Sequence, residues 1–258
     1  MRGVTLIPGR LEGYCMGLDG RDGRNLACER CGRAVATRVD DCALWQAVRL
    51  EPSAVRDVST TAAPRELTWD DVLAEPPDAP QIDQRGYWNE EWSAAAGAAL
   101  AHLLVASSGS PVTVPDGPVA AVFRRSIDAL LPPGPDARIL DLAGPHLPAP
   151  DADIVLVPTH PQSGQAWRPE DDAAAVPLPS GSWAELAFHH DRSPLPVVGG
   201  LPEGVHRDDP PPLLPDRRFQ PDRRLFLHVL ARTPEVREPW LVEIYPRVDA
   251  FKGYPGVF

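Results

Sequence analysis

Apolar and polar positions fall into strand-length runs and two longer helical stripes, and most of this patterning lies after residue 85. Within 86–108, Trp92, Ala95, Ala96, Ala99, Leu100, Leu103 and Leu104 recur at offsets of three and four, which predicts a helix with one apolar face. Ala94, Gly97 and Ala98 are small enough to let another element approach that helix closely. His102 lies among the apolar positions and reads as a structural residue, not a ligand.

The next segment is punctuated like an α/β protein. Pro111, Val112, Thr113 and Val114 predict a short strand ended by Asp116 and Gly117. Pro118 suits a first helical position, and Val119, Val122, Phe123, Ile127, Leu130 and Leu131 form a second stripe, stopped by Pro132, Pro133 and Gly134. Two apolar runs follow at 138–142 and 153–157. The second reads as a strand buried on both faces of a partly parallel sheet. Ser182 with Glu185 suggests a capping box opening a short helix, ended by His189 and His190. Residues 195–198 suggest another strand. Two last apolar runs, 225–230 and 240–245, predict an antiparallel hairpin with His228 and Glu243 across from one another.

The fold class expected is therefore α/β (or α+β): a helix-on-sheet body over 86–258 with a C-terminal β-hairpin. Residues 51–85 read as a proline-rich connector, with Pro52, Pro64, Pro76, Pro77 and Pro80. One short helix interrupts it, where Thr68 caps and Asp71 holds the reciprocal position of a capping box, and Trp69 can pin the arm to a neighbour.

Residues 1–50 carry little apolar pattern but all the cysteines, spaced Cys15-x12-Cys28-x2-Cys31-x10-Cys42. Cys28 and Cys31 can reach one ion from a tight turn, for which Gly32 supplies a positive φ. Cys15 and Cys42 complete a tetrahedral all-thiolate set of the kind zinc takes in closed structural sites, so 1–50 is expected to be a zinc ribbon-like module. Such a site could contribute on the order of 10 kcal/mol to a module with little core of its own. An aspartate, Asp40 or Asp41, is placed to cap a helix opened by Cys42. A redox pair at Cys28 and Cys31, a disulfide framework and four idle thiols are the rival readings. The polar loop around the pair argues against the first, and the lack of an export-length apolar start against the second.

Composition narrows the partners. The formal net charge of −11 gives no counterion-release gain on nucleic acid, and 32 prolines among 258 residues imply many loops and short elements. Arginine supplies nearly all positive charge, with one lysine, Lys252. The paired sequence 215–218 and 221–224 (Pro-Asp-Arg-Arg) reads as a self-paired, solvated loop. No run is long and apolar enough to span a bilayer, so a cytoplasmic protein is expected.

No nucleotide fingerprint, P-loop or nucleophile elbow occurs. A zinc-binding, non-catalytic interaction or scaffold protein with a protein partner is the reading this supports. The alternative is an enzyme whose acid–base site lies at the strand ends and uses His146, Thr159 and His160.

Overall fold

The structure, a computed structural model, describes residues 3–13, 18–40, 47–56, 65–74, 81–83, 87–188, 218–250 and 258. They combine an antiparallel and a parallel sheet with helices and divide into two compact units.

The N-terminal unit is built on strands β1 (Val4–Leu6), β2 (Leu26–Cys28), β3 (Ala34–Val39) and β4 (Ala47–Leu50), paired in that order and antiparallel throughout. Its core is small. Leu26, Val35 and Ala36 are buried, with Val4, Leu6, Ala54 and Val55 packed around them. Register is held partly by polar contacts. Asn25 is buried, donates from Nδ2 to the Arg38 carbonyl at 2.9 Å and accepts the Arg38 N–H at 2.7 Å, filling in where the ladder is irregular beside Leu26 and Ala27. Ala47 and Val48 belong to β4, so the helix expected after Cys42 is not formed there; 41–46 lie outside the described residues.

The second unit begins with the short helix α1 (Trp69–Ala74) and the long helix α2 (Glu90–Ser107). α1 has the capping box expected of it: Thr68 Oγ1 donates to Asp71 Oδ2 at 2.7 Å and accepts the Asp71 N–H at 3.3 Å. Asn89 caps α2, accepting the Glu91 N–H at 2.8 Å, and a left-handed Ser108 ends it. Strand β5 (Val112–Thr113) and helix α3 (Pro118–Leu130) follow, with Pro118 in the first turn as the pattern implied.

Strands β6 (Arg138–Leu142), β7 (Ile154–Thr159) and β8 (Ala174–Pro179) complete a parallel sheet in the order β5-β6-β7-β8. β7 is interior, and the two sides of its pleat go to different clusters. Ile154 and Leu156 join α2, α3 and the C-terminal helices in the main core, while Val155 and Val157 pack with Ala143, Ala152, Trp167 and Ala173. This is the strand expected to be buried on both faces.

β8 was not legible in sequence because Pro177 and Pro179 argue against a strand. Among the described residues it is the last strand of the order, with no ladder on its other side, so the missing N–H groups are tolerated. Helix α4 (Ser180–Phe188) starts two residues before the expected cap, and Ser182 and Trp183 are buried inside it.

The expected C-terminal hairpin is replaced by helices α5 (Arg223–Leu230), α6 (Pro239–Val242) and α7 (Ile244–Asp249), with a short 3-10 turn at Pro234–Arg237. The physical reason is capping and spacing. Asp222 accepts the Leu225 N–H at 2.6 Å and nucleates α5, whose buried Phe226, Leu227 and Leu230 fall on one helical face. Pro239 then starts α6. His228 and Glu243 therefore do not form a cross-strand pair.

The arginine repeat is corrected in its described half. Asp222 is a helix cap, and Arg223 donates from Nη1 to the Val248 and Asp249 carbonyls, both at 3.1 Å, tying α5 to the end of α7. Residues 189–217, which include the expected strand at 195–198 and most of the first repeat, lie outside the described residues. So do 57–64, 75–80 and 84–85 of the connector. No helix among the described residues is long and apolar enough to cross a membrane.

Candidate functional site

Cys28 ends β2, and the chain turns through Glu29, Arg30, Cys31 and Gly32 before β3. Two backbone bonds close the turn: Cys28 N–H to Arg33 O at 2.9 Å, and Gly32 N–H to Cys28 O at 2.8 Å. Gly32 has φ +71°, the left-handed conformation such a turn needs. Inside it, the N–H groups of Arg30 and Cys31, and then the Cys31 thiol, hydrogen-bond the Cys28 sulfur. They hold its thiol below the usual cysteine range. Both thiols are free; Cys31 is exposed and Cys28 half-buried. Arg33 donates to Ser53 O at 2.9 Å, anchoring the following residue.

The turn thus carries two free thiols two residues apart, and the neighbouring donors favour the thiolate form of Cys28. Cys15 and Cys42 lie outside the described residues. Among the described residues no group of three or more His, Cys, Asp or Glu side chains gathers as a metal site.

The histidines singled out for acid–base chemistry lie beyond the ends of β6 and β7, and α1 packs against both of their loops. His146, with φ +66°, places Nε2 2.9 Å from Asp70 Oδ1. That pair is open to water, at 58% and 81% side-chain exposure, so it holds little energy. His160 is used differently. Its Nδ1 accepts the N–H groups of Gln162 at 3.2 Å and Ser163 at 3.3 Å, which assigns the proton to Nε2, 3.1 Å from Leu67 O. Its ring meets Trp69 edge-on at 5.0 Å, and Gln162 Oε1 accepts the Leu67 N–H at 2.9 Å.

Thr159 ends β7 and bridges Ala166. Among the described residues no hydrogen bond joins His146, Thr159 and His160 to one another. Both nitrogens of His160 serve backbone groups. His146 instead meets Asp70 of α1, and His160 meets Leu67, two residues before that helix. Sequence reasoning found the helix through its capping box, but missed Asp70 and Trp69 as the partners of these histidines. The two sides are some 75 to 95 residues apart and share no local signal.

Compared with protein-family models, curated proteins and solved structures, the chain matches none.

Proposed function

We infer that the chain is a zinc-binding, non-catalytic protein-interaction component whose metal is held at the Cys28–Cys31 turn. The observation that supports this most is the tight turn, closed by Gly32 at positive φ, that sets Cys28 and Cys31 two residues apart at the end of β2. A turn of this kind lets both thiolates reach one ion. Zinc suits two or more thiolates and needs no redox partner. The occupation of His160 by backbone groups leaves the strand ends to architecture, and argues for interaction over catalysis. Val48 and Leu50, exposed on the terminal strand β4, add apolar surface of the kind a protein partner covers.

Elemental analysis of the purified full chain tests the reading. Zinc should co-purify with it, and Cys31→Ser should lose the metal while the second unit keeps its cooperative melting. Metal-free protein with an intact N-terminal sheet overturns the assignment.

A further inference from the structure

None of the residues of α1 is buried. Leu73, in its last turn, packs at the edge of the main core, and Asp70 meets His146. The start of the helix and the two residues before it are held at the loop after β7. There Leu67 O lies 3.1 Å from His160 Nε2, the Leu67 N–H donates to Gln162 Oε1 at 2.9 Å, and the Trp69 ring meets the imidazole edge-on. The attachment of this end therefore centres on one imidazole ring.

That ring is bound as a neutral species. Its Nδ1 accepts the N–H groups of Gln162 and Ser163, and Nε2 carries the hydrogen that points to Leu67 O. An imidazolium has two donors and no acceptor, so a proton on Nδ1 would face two N–H donors. The loop cannot turn those amides away, because its backbone is closed on itself. The His160 N–H bonds Gln165 O and the Gly164 N–H bonds His160 O, both at 2.8 Å. The ring has to leave instead, and its contacts with Leu67 O and Trp69 leave with it.

The charged surroundings do not reverse this. Glu66, Asp70 and Asp71 stand on α1 and its lead-in, His146 on the loop after β6, and Glu185 on α4, which α1 also touches. The segment from Pro161 to Trp167 carries no charged side chain. Asp71 bonds Thr68 and Asp70 meets His146; no carboxylate pairs with His160 among the described residues. Glu66 and Asp70 are exposed, so their attraction for a cation is screened by solvent. Protonation of His146 strengthens its contact with Asp70 and opposes release, but that pair is open to water and weak.

We propose that His160 is a proton-operated latch on α1. Neutral, it holds the start of the helix against the loop after β7; protonated, it lets that end go, with Leu73 keeping the other end at the core. Proton uptake opposes docking, so the latch is closed at the alkaline side of the imidazole range and opens as pH falls. The carboxyl ends of β6 and β7, where open parallel sheets take their ligands, then lose the cover of that segment. The device lies wholly in the second unit and does not depend on the metal.

Nuclear magnetic resonance on the full chain, titrated from about pH 8 to about pH 5, tests this across the range in which imidazole takes up its proton. At the alkaline end His160 should show the Nε2–H tautomer in its nitrogen shifts, with Overhauser contacts between its ring and that of Trp69. At the acid end those contacts should vanish and the amides of 67–71 should shift, while the amides of β7 stay put. The local readout separates this from His102, which lies on α2. His160→Gln, which has no proton to gain there, should leave the 67–71 amides unchanged with pH, and His146→Ala should keep the response. Because a variant can disturb the loop, the tautomer and ring contacts of the unaltered chain decide the matter independently. An Nδ1–H tautomer at the alkaline end, ring contacts that persist at the acid end, a response retained in His160→Gln, or one abolished in His146→Ala overturns the latch.

Discussion

Gly97 of α2 lies against the backbone of Asp222, the residue that caps α5. A β-carbon at Gly97 would overlap the Asp222 carbonyl oxygen and stand 3.2 Å from its nitrogen and carbonyl carbon. The Asp222 N–H donates to Ser93 O at 2.7 Å, one turn earlier on α2. A small residue on one helix thus lets the start of another pack on it backbone to backbone, and the cap that nucleates α5 is set in place by α2.

Gly97→Ala should therefore destabilise the second unit by about 1–3 kcal/mol, the usual cost of overpacking, although alanine is the better helix former. Asp222→Ala should cost about 1 kcal/mol through the lost cap. Urea unfolding of both variants and of their double mutant checks this, and the two losses should not be additive because the residues touch.

The close approach of Gly144 to Trp183 gives a second site of the same kind. A β-carbon at Gly144 would overlap Cζ2 of the indole and lie 2.9 Å from Cη2, and the ring cannot swing away because it is fully buried with Nε1 donating to Leu156 O at 3.1 Å. Gly144→Ala should cost about 1–3 kcal/mol and shift the tryptophan emission, whereas Gly164→Ala, with open space around it, should leave the emission unchanged.

His102 is half-buried on α2, and burial alone pushes its pKa below the ordinary histidine value. A folded-state pKa below the unfolded one means that the unfolded chain takes up the proton first. The stability is present above about pH 6.5 and is lost as pH falls from there toward the folded-state value. Thermal melting across pH 7.5 to 5 should show this fall (roughly the range over which imidazole titrates), and His102→Gln should flatten it.

The two strand-end histidines should separate by experiment. His146→Ala breaks an exposed pair with Asp70 and should change stability by less than about 1 kcal/mol. His160→Ala removes the ring that links Leu67 O, the 162–163 amides and Trp69, so amides of α1 should exchange faster while the parallel sheet stays protected. Equal effects from the two would contradict their different surroundings.

Arg223 and Arg224 should differ as well. Arg223→Ala removes the bonds to the last carbonyls of α7 and should cost about 1 kcal/mol, and Arg224→Ala, at an exposed position, should fall within about 0.5 kcal/mol of neutral.

Local chemistry decided much of this fold in advance. The stripe of α2, Pro118 at the start of α3, the unbroken run of β7 and the Thr68–Asp71 box are complete within a few residues, so their elements follow from the chain alone. So does the Cys28–Cys31 turn, closed by its own glycine. What depends on distant residues was not legible. Residues 225–230 are apolar enough for a strand, and only the Asp222 cap packed on α2 turns them into a helix. Proline-bearing β8 is a strand because β7 offers it an edge. Whether His146 and His160 face a cavity or a helix is settled by a segment some 75 to 95 residues earlier.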